Sequence, residues 1–247
     1  MSSIGDINNI DVLTDVRLRV FNLLRVLKFF YSFKELEKYL EVPSQVLWRY
    51  VTFRSSPEKT TAYKILNKIK EKKLIENIVS NLRERPHLLL SNPGILELAA
   101  IKAFDEFKKD KVNVVLSAPD SYSIALASLI SVYLKSRLCI PSRMPYVREL
   151  SNNYIIEPYL MGSSLIEIIA IPRECLPLRS RVLIVVANIQ ILEPLLATIN
   201  LALKRHADIV GIFSLIGSKE AISKIEYKRP SKSKIVVTLP SYSFNLK

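Results

Sequence analysis

The sequence predicts an α/β protein in which a helical N-terminal domain precedes an open, mostly parallel sheet flanked by helices. Two observations come from the C-terminal part of the chain. Residues 182–186 form an unbroken aliphatic run, and a helix-like segment separates them from a second run at residues 209–213. The third observation is that the first 80 or so residues space their apolar side chains as helices do. Because helices rarely continue up to a proline, we expect the boundary before Pro86, with domains at residues 1–86 and 87–247.

The composition indicates a folded, basic chain. Hydrophobic residues make up 49% of the 247 positions, which is enough for a substantial core. The 36 Lys and Arg residues exceed the 23 Asp and Glu residues, so the formal net charge is +13 and a polyanionic partner is favoured over a small metabolite. The alternative is a lysine-rich surface like those of heat-stable proteins, but in those proteins Lys and Glu usually rise together.

The sequence shows neither a membrane span nor a metal-binding pattern. No apolar run approaches the roughly 18 residues of a spanning helix, and the N-terminus lacks the basic and apolar regions of a signal peptide. We therefore expect a cytoplasmic protein with no membrane partner. Cys139 and Cys175 are too few for a disulfide framework and are predicted to be buried apolar residues. With only His87 and His206 besides, no zinc site, other metal or cofactor is expected.

The N-terminal third predicts successive helices. The first covers residues 12–30. Ser32 and Glu35 form a capping-box pattern that begins the second helix, and residues 41–43 interrupt the chain. Ser44 is then the expected N-cap of a third helix. Ser56, followed by a proline and an acid, predicts the start of a fourth.

Residues 33–53 resemble the helix-turn-helix family, winged or plain, because two short helices flank a tight turn and the second opens on polar residues. In that family the second helix lies in the major groove of duplex DNA. Eight Lys and Arg residues against two acids at positions 49–73 would contact phosphates. An ordinary three-helix bundle is the alternative. The predicted DNA-binding residues are Ser44, Gln45, Trp48, Arg49, Arg54, Lys59, Lys64 and Lys68.

The C-terminal elements follow from alternating apolar runs and amphipathic segments. Residues 141–157 are polar and predicted to be irregular. The basic stretch at residues 228–234 is interpreted as a solvated loop rather than a second DNA site. Besides the two runs already described, helices are predicted at residues 95–107 and 122–134, and strands at 112–116, 138–140, 165–171 and 235–239.

The strand, loop and helix between residues 183 and 194 resemble the phosphoribosyltransferase family, and the resemblance covers roughly residues 88–242. In that family a hydrophobic strand ends in two adjacent acids, and a Thr- and Gly-containing loop then binds a phosphate of phosphoribosyl pyrophosphate. Here Ala187 and Asn188 stand in place of the acids, no glycine follows, and Glu193 and Pro194 disfavour a phosphate. The expected degenerate ligand loop comprises Ala187, Asn188, Ile189, Gln190 and Ile191.

The resemblance implies a phosphoribosyltransferase-like fold that is not an enzyme. The family's first loop binds pyrophosphate through backbone amides, but here Pro119 removes a donor and Asp120 would repel an anion. No adjacent pair of acids follows any predicted strand. Losing two charge-assisted hydrogen bonds to the ribose hydroxyls is expected to cost about 3–6 kcal/mol of ligand affinity.

The order of the two domains resembles that of purine operon repressors and related regulators with orotate phosphoribosyltransferase-like domains. We therefore predict a homodimeric transcriptional regulator that binds double-stranded DNA. Its phosphoribosyltransferase-like domain would be inert, would mediate dimerisation and would sense a nucleotide-like effector. An active phosphoribosyltransferase with a divergent loop is one alternative, and a structural or RNA-contacting protein is another.

Overall fold

The computed structural model describes residues 15–75, 77–78, 86–143, 153–162, 165–189, 192–226 and 233–241. The chain divides into two compact units, residues 1–98 and residues 99–247. Within the described ranges, no helix is long and apolar enough to cross a membrane.

The first unit is helical. Helix α1 packs against α3 and α4, and α2 packs against the same two helices. Each helix contributes a fully buried aliphatic side chain to this core, for example Leu24, Leu36, Leu47 and Ile65. Their outward faces carry the charged residues, as expected of amphipathic helices. The helices are α1 (Val16–Leu27), α2 (Phe33–Leu40), α3 (Ser44–Val51), α4 (Lys59–Glu71) and the short α5 (Pro86–Ser91).

The predicted start of α2 is confirmed in atomic detail. Ser32 Oγ accepts a hydrogen bond from the backbone N–H of Glu35 at 3.2 Å, and the Glu35 carboxylate accepts one from the backbone N–H of Ser32 at 2.7 Å. These two bonds satisfy two N–H groups that have no partner within the helix. The Ser32 hydroxyl also donates to Glu35 Oε2 at 2.7 Å, and this bond, together with the one from the Ser32 backbone N–H, holds the pKa of Glu35 below its ordinary value.

Two other predicted helix starts are wrong by one or two residues. Pro43, not Ser44, is the N-cap of α3, so Ser44 is the first helical residue and its side chain makes no capping bond. Helix α4 begins at Lys59 with Glu58 as its N-cap, rather than after Ser56. At both helix starts, a serine with a good capping side chain lies within two residues of the observed N-cap. The observed N-caps make no side-chain hydrogen bond to the helix, so the capping preference of the side chain does not determine where either helix begins.

The second unit contains two sheets and their connecting helices. Five parallel strands form the main sheet in the order β2-β1-β6-β7-β8. The predicted α/β architecture, a mostly parallel sheet flanked by helices, is therefore confirmed. In chain order the elements from residue 93 onwards are α6 (Pro93–Phe107), β1 (Val114–Ser117), α7 (Ser121–Leu134), β2 (Arg137–Cys139), β3 (Ser142–Arg143), β4 (Tyr154–Met161), β5 (Leu165–Pro172), β6 (Arg181–Asn188), α8 (Glu193–Lys204), β7 (Asp208–Ser218), α9 (Lys219–Glu226) and β8 (Lys234–Ser241).

Strand β6 is the centre of the main sheet. It pairs with β1 on one side and β7 on the other, and all residues from Val182 to Ala187 are buried. A strand that is covered on both faces needs apolar residues at every position, which explains why it is an unbroken aliphatic run. One face of this sheet shares a core with α8, in which Ile184 packs with Ile199.

The small antiparallel sheet, in the order β3-β5-β4, corrects the prediction that residues 141–157 are irregular. Strand β4 begins at Tyr154, inside that range, and Pro158 lies within it opposite Ile168. Proline argues against a central strand but is tolerated on an edge strand, and β4 is an edge. The buried carboxylate of Glu157 ties this sheet to α8, because it accepts hydrogen bonds from Asn200 at 2.7 Å and Lys204 at 2.6 Å.

The two cysteines form a disulfide, which corrects the prediction that both are simply buried apolar residues. Cys139 ends β2 and is fully buried, and Cys175 lies in the loop after β5. Their Cα atoms are 5.4 Å apart, an ordinary separation for a disulfide. The sequence could not show this pairing, because 36 positions separate the cysteines and only the fold brings the two segments together.

Candidate functional site

The main sheet has a topological switch point between β1 and β6. From β1 the chain crosses through α7 to β2 on one side, whereas from β6 it crosses through α8 to β7 on the other side. Crossovers that diverge in this way leave a crevice at the carboxyl ends of the two strands, and open α/β sheets bind their ligands there. The loops after β1 and β6 are therefore the candidate ligand site of the second unit.

The loop after β1 ends in a carboxylate that caps a helix. Asp120 is the N-cap of α7, and its Oδ1 accepts a hydrogen bond from the backbone N–H of Ser123 at 2.9 Å. Its Oδ2 accepts a second bond from Ser123 Oγ at 2.5 Å. From the sequence alone, Asp120 is expected only to repel an anion. The Asp-x-x-Ser spacing before an apolar helix was the signal for its capping role.

Ser123 also joins the two loops of the crevice. Its buried Oγ accepts a hydrogen bond from the backbone N–H of Ala187 at 2.8 Å while it donates to Asp120. One fully buried hydroxyl thus fixes the end of β6 to the start of α7. On the preceding strand, Ser117 is also fully buried, and its Oγ has no hydrogen-bond partner. Buried hydroxyls usually have a partner, so Ser117 marks a polar position at this edge that protein atoms leave unsatisfied.

The predicted ligand loop lies at this edge, as expected from its sequence position. Ala187 and Ile189 are buried and Asn188 is half-buried. The backbone N–H of Ile189 bonds to the carbonyl of Ile216 at 2.9 Å, so β6 and β7 stay paired up to the loop. Glu193 is exposed in the first turn of α8. The other two residues of the predicted loop, Gln190 and Ile191, lie outside the described residues.

The small sheet carries a polar cluster that the sequence pattern does not indicate. The Tyr159 hydroxyl donates a hydrogen bond to Glu167 Oε2, and Arg143 Nε lies 3.5 Å from the same oxygen. Burial, together with the bond to Glu167, raises the pKa of Tyr159 to about 12, so its hydroxyl stays protonated near neutral pH. Tyr159 and Glu167 are cross-strand partners eight positions apart, and this register could not be read before the hairpin was known.

No group of three or more His, Cys, Asp and Glu side chains in the described ranges could hold a metal ion. The polar groups that the structure brings to the crevice are instead hydroxyls, amides and single carboxylates.

In the first unit, the predicted DNA-contacting residues of α3 share an outward face. Gln45 and Arg49 are exposed and Trp48 is 39% exposed, whereas Leu47 and Tyr50 point into the core. Ser44 is half-buried at the start of the helix. The spacing of the exposed residues, three and four positions apart, places them on one side of a helix.

The remaining predicted residues divide into exposed cations and one paired cation. Arg54, Lys59 and Lys64 are exposed, and the guanidinium of Arg54 lies 4.5 Å from the ring centroid of Trp48, a cation–π contact. Lys68 instead forms a 2.7 Å ion pair with Glu41.

That ion pair holds the turn between α2 and α3. Glu41 is the C-cap of α2 and has a left-handed backbone with φ of 56°, which is uncommon for a residue other than glycine. The hydrogen bond from Lys68 lowers the pKa of Glu41, and the same bond raises the pKa of Lys68. Lys68 is therefore tied to the turn through Glu41, whereas Lys59 and Lys64 are exposed cations of α4.

Comparison with known proteins identifies the fold of the chain by structure and not by sequence. No protein-family model matches the chain, and no curated protein matches it. Adenine phosphoribosyltransferase from Rhodothermus marinus matches with a TM-score of 0.50 and 19% identity, over 62% of this chain and 83% of that chain. The enzyme from Thermoanaerobacter pseudethanolicus matches with a TM-score of 0.52 and 10% identity, over 62% and 84%.

A third structure, the adenine phosphoribosyltransferase of Giardia lamblia complexed with 9-deazaadenine, has a TM-score of 0.52 and 15% identity over 63% of this chain and 84% of that chain. Identities this low show the fold alone. The fold of about 62% of the chain is therefore that of the phosphoribosyltransferases, as the resemblance at residues 183–194 implied.

These comparisons contradict the prediction that the chain is not an enzyme. The solved structures described above are adenine phosphoribosyltransferases, so this fold is one that enzymes use and gives no ground for calling the chain inert. The prediction relied on the sequence of two loops: Ala187 and Asn188 in place of the acids, no glycine after them, Glu193 and Pro194 in the phosphate loop, and Pro119 and Asp120 in the first loop. Without an acid pair at Ala187 and Asn188, the chain lacks the family's usual ligands for the ribose hydroxyls. The crevice and the polar residues around it are still present.

Proposed function

We propose that the chain is a DNA-binding regulator in which α2 and α3 act as a helix-turn-helix and the second unit is a ligand-binding domain of phosphoribosyltransferase fold. The outward face of α3 is the observation that carries this proposal. It presents Gln45, Trp48 and Arg49 to solvent, and the helix is anchored from behind by Leu47 and Tyr50.

The residue types on this face suit the edges of bases in the major groove. Arginine donates two hydrogen bonds to guanine, and glutamine makes a two-bond contact with adenine. Gln45 and Arg49 are one helical turn apart, so they would contact neighbouring bases. Trp48, between them in sequence, presents an apolar surface against which a thymine methyl group can pack.

The affinity would come from the cations beside this face. Arg54, Lys59 and Lys64 are exposed, and each can neutralise a phosphate and release a counterion. Lys68 acts indirectly, because its ion pair with Glu41 sets the turn that orients α3. A homodimer would present two such faces, as proteins that bind two half-sites do.

Fluorescence anisotropy with a labelled duplex, selected from a random library by the full chain, tests this function. Arg49→Ala should weaken binding to the selected duplex by about 1–3 kcal/mol and relax sequence preference at one position. Lys38→Ala, which removes an exposed cation from α2, is the matched control and should change binding little. Equal effects of the two substitutions, or selection of no duplex at all, would contradict the proposal.

Phosphoribosyl transfer is a second candidate function of the second unit, favoured by the fold it shares with adenine phosphoribosyltransferases. The crevice between β1 and β6 would hold the ribose phosphate, and a purine base would be the acceptor. Among the described residues at this edge, Asp120, Asn188 and Glu193 carry groups that can bind hydroxyls or a base.

The assay is adenine-dependent release of pyrophosphate from phosphoribosyl pyrophosphate by the full chain. Glu193→Gln should lower the rate or raise KM, whereas Glu220→Gln, an exposed carboxylate on α9, should leave both unchanged. No base-dependent release with adenine, guanine, hypoxanthine or orotate would reject this activity. Neither result affects the DNA-binding test, because the two experiments measure different units.

A further inference from the structure

The carboxyl end of α3 has a backbone conformation that its residue does not favour. Phe53, just beyond the helix, has a left-handed backbone with φ of 56°. Glycine usually occupies this place at a helix end, because a bulky side chain strains a left-handed backbone. Among the described residues with a positive φ, glycine aside, only Phe53 has an apolar side chain. A costly conformation that is kept at an aromatic residue points to a use for the side chain.

The turn that carries Phe53 is fixed by hydrogen bonds to the last turn of α3. The backbone N–H of Phe53 donates to the carbonyl of Tyr50 at 3.0 Å, and the backbone N–H of Arg54 donates to the carbonyl of Arg49 at 2.9 Å. This pair of bonds is the pattern of a Schellman motif, which closes the carboxyl end of a helix. The backbone at Phe53 is therefore held in one conformation at the end of α3.

The Phe53 side chain projects into solvent with a core residue behind it. The residue is 60% exposed, and its ring centroid lies 5.1 Å from that of the buried Phe21. Arg54, the next residue, is exposed, and its guanidinium lies over the ring of Trp48. An apolar ring is thus presented beside a cation, at the end of the helix whose outward face carries Gln45 and Arg49.

We propose that Phe53 is an apolar wedge that inserts its ring at a base step of duplex DNA; this inference rests on the DNA-binding function proposed for α3. Proteins that kink DNA insert apolar side chains between neighbouring bases and partly unstack them. Such a side chain must be exposed and held stiffly, and both conditions are met at Phe53. Pyrimidine–purine steps kink most easily, so the wedge gives the bound sequence a preference for such a step.

Charge favours DNA over an apolar protein as the partner of this ring. Arg54 and Lys59, on either side of the short loop that follows α3, are both exposed. A protein that covered the ring would have to desolvate these cations, whereas the phosphates of DNA would neutralise them. The other role open to Phe53 is packing alone, in which its contact with Phe21 only stabilises the end of α3. Packing alone would not make DNA binding depend on the stiffness of a base step.

Binding and bending of the duplex selected by the full chain test the wedge. Energy transfer between dyes at the two ends of the duplex should show that the wild-type chain bends it. Phe53→Gly and Phe53→Asn both suit a left-handed backbone, so both variants should fold, which circular dichroism checks. Each should bind about tenfold more weakly and lose most of the bend. Phe29→Ala, at a 55% exposed aromatic after α1, is the matched control and should change neither property.

The base step itself provides a second test. A mismatched base pair is placed at each pyrimidine–purine step of the selected duplex in turn, because a mismatch lowers the cost of unstacking. At one step it should tighten binding of the wild-type chain by about fivefold or more and leave binding of Phe53→Gly unchanged.

Three results would overturn the wedge and leave the DNA-binding function standing, provided that Arg49→Ala still weakens binding. They are a selected duplex that stays straight when bound, a Phe53→Gly variant that binds and bends it as the wild-type chain does, and an equal response of the two proteins to every mismatch. Selection of no duplex at all would overturn both the wedge and the DNA-binding function.

Discussion

Helices α3 and α7 are both anchored by buried leucines and both expose a stripe of side chains, but the two stripes have opposite character. The α3 face presents Gln45, Trp48 and Arg49, with further cations beyond its end. The exposed residues of α7, Ser121, Tyr122, Ala125 and Val132, carry no charge. In a chain of net charge +13, the cations of the first face suit a polyanion, whereas the exposed face of α7 offers a polyanion no charge. We therefore expect the outward residues of each helix to determine whether it binds DNA, whereas the inward residues hold the helix in place.

The largest effects are expected from removing the anchors. Leu47 of α3 and Leu126 of α7 are both 0% exposed, so Leu47→Ala and Leu126→Ala should each cost about 2–5 kcal/mol of stability through lost burial and a cavity. Thermal unfolding followed by circular dichroism measures this cost. If only the α3 face binds DNA, Leu47→Ala should impair DNA binding, whereas Leu126→Ala should leave it nearly unchanged.

These two variants can break the comparison directly. Each should be assayed for DNA binding by anisotropy, below its own unfolding temperature. An equal loss of DNA binding in the two variants would contradict the distinction between the α3 face and the exposed face of α7.

A smaller effect is expected at the start of α7, where Ser123 joins the loops of the crevice. Ser123→Ala removes the acceptor for the backbone N–H of Ala187 and the donor to Asp120. A buried N–H without a partner costs about 1–3 kcal/mol, so the free energy of unfolding from urea titration should fall by that amount. Ser128→Ala is the control on the same helix, because Ser128 Oγ bonds only to the carbonyl of Ile124. Equal losses in the two variants would mean that Ser123 has no special role at the crevice.

The smallest effect concerns the turn that orients α3. The hydrogen bond from Lys68 lowers the pKa of Glu41, so the folded state favours the ionised carboxylate. The resulting stability is present above the ordinary pKa of glutamate and is lost as the pH falls through the lowered folded-state pKa. Glu41→Gln should therefore lower Tm slightly at neutral pH, and the difference from wild type should vanish in acid. Glu37→Gln, at an exposed position of α2, is the control, and a pH-independent difference for Glu41→Gln would contradict the ion-pair explanation.

The parts of the fold that the sequence predicted are those in which local pattern and burial agree. Strand β6 is covered on both faces, so each residue from Val182 to Ala187 is apolar and the run is visible without other information. The capping box of Ser32 and Glu35 is equally local. The sequence does not predict strand β4, because the strand contains Pro158 and the charged Glu157. The partners that allow Glu157 to be buried lie on α8, about 45 positions further along the chain.

In the candidate sites, too, the sequence predicts local features but not contacts between distant residues. The outward positions of α3 follow from helical spacing, so Gln45, Trp48 and Arg49 could be selected in advance. The ion pair of Lys68 with Glu41 could not, because the two residues are 27 positions apart and meet only after α4 packs beside α2. For the enzyme question, the sequence register gave the wrong answer, because departures from the family pattern in two loops do not describe the rest of the crevice.

The central claim, that the cations around α3 bind the phosphates of duplex DNA, is tested most directly by salt dependence. The triple variant Arg54→Gln, Lys59→Gln and Lys64→Gln should reduce the slope of log K against log salt concentration by up to about 2.7, since each phosphate contact contributes about 0.9. A control triple variant, Lys109→Gln, Lys111→Gln and Lys224→Gln, removes the same charge from exposed positions of the second unit and should leave the slope nearly unchanged. Equal slopes for the two triple variants would contradict the claim.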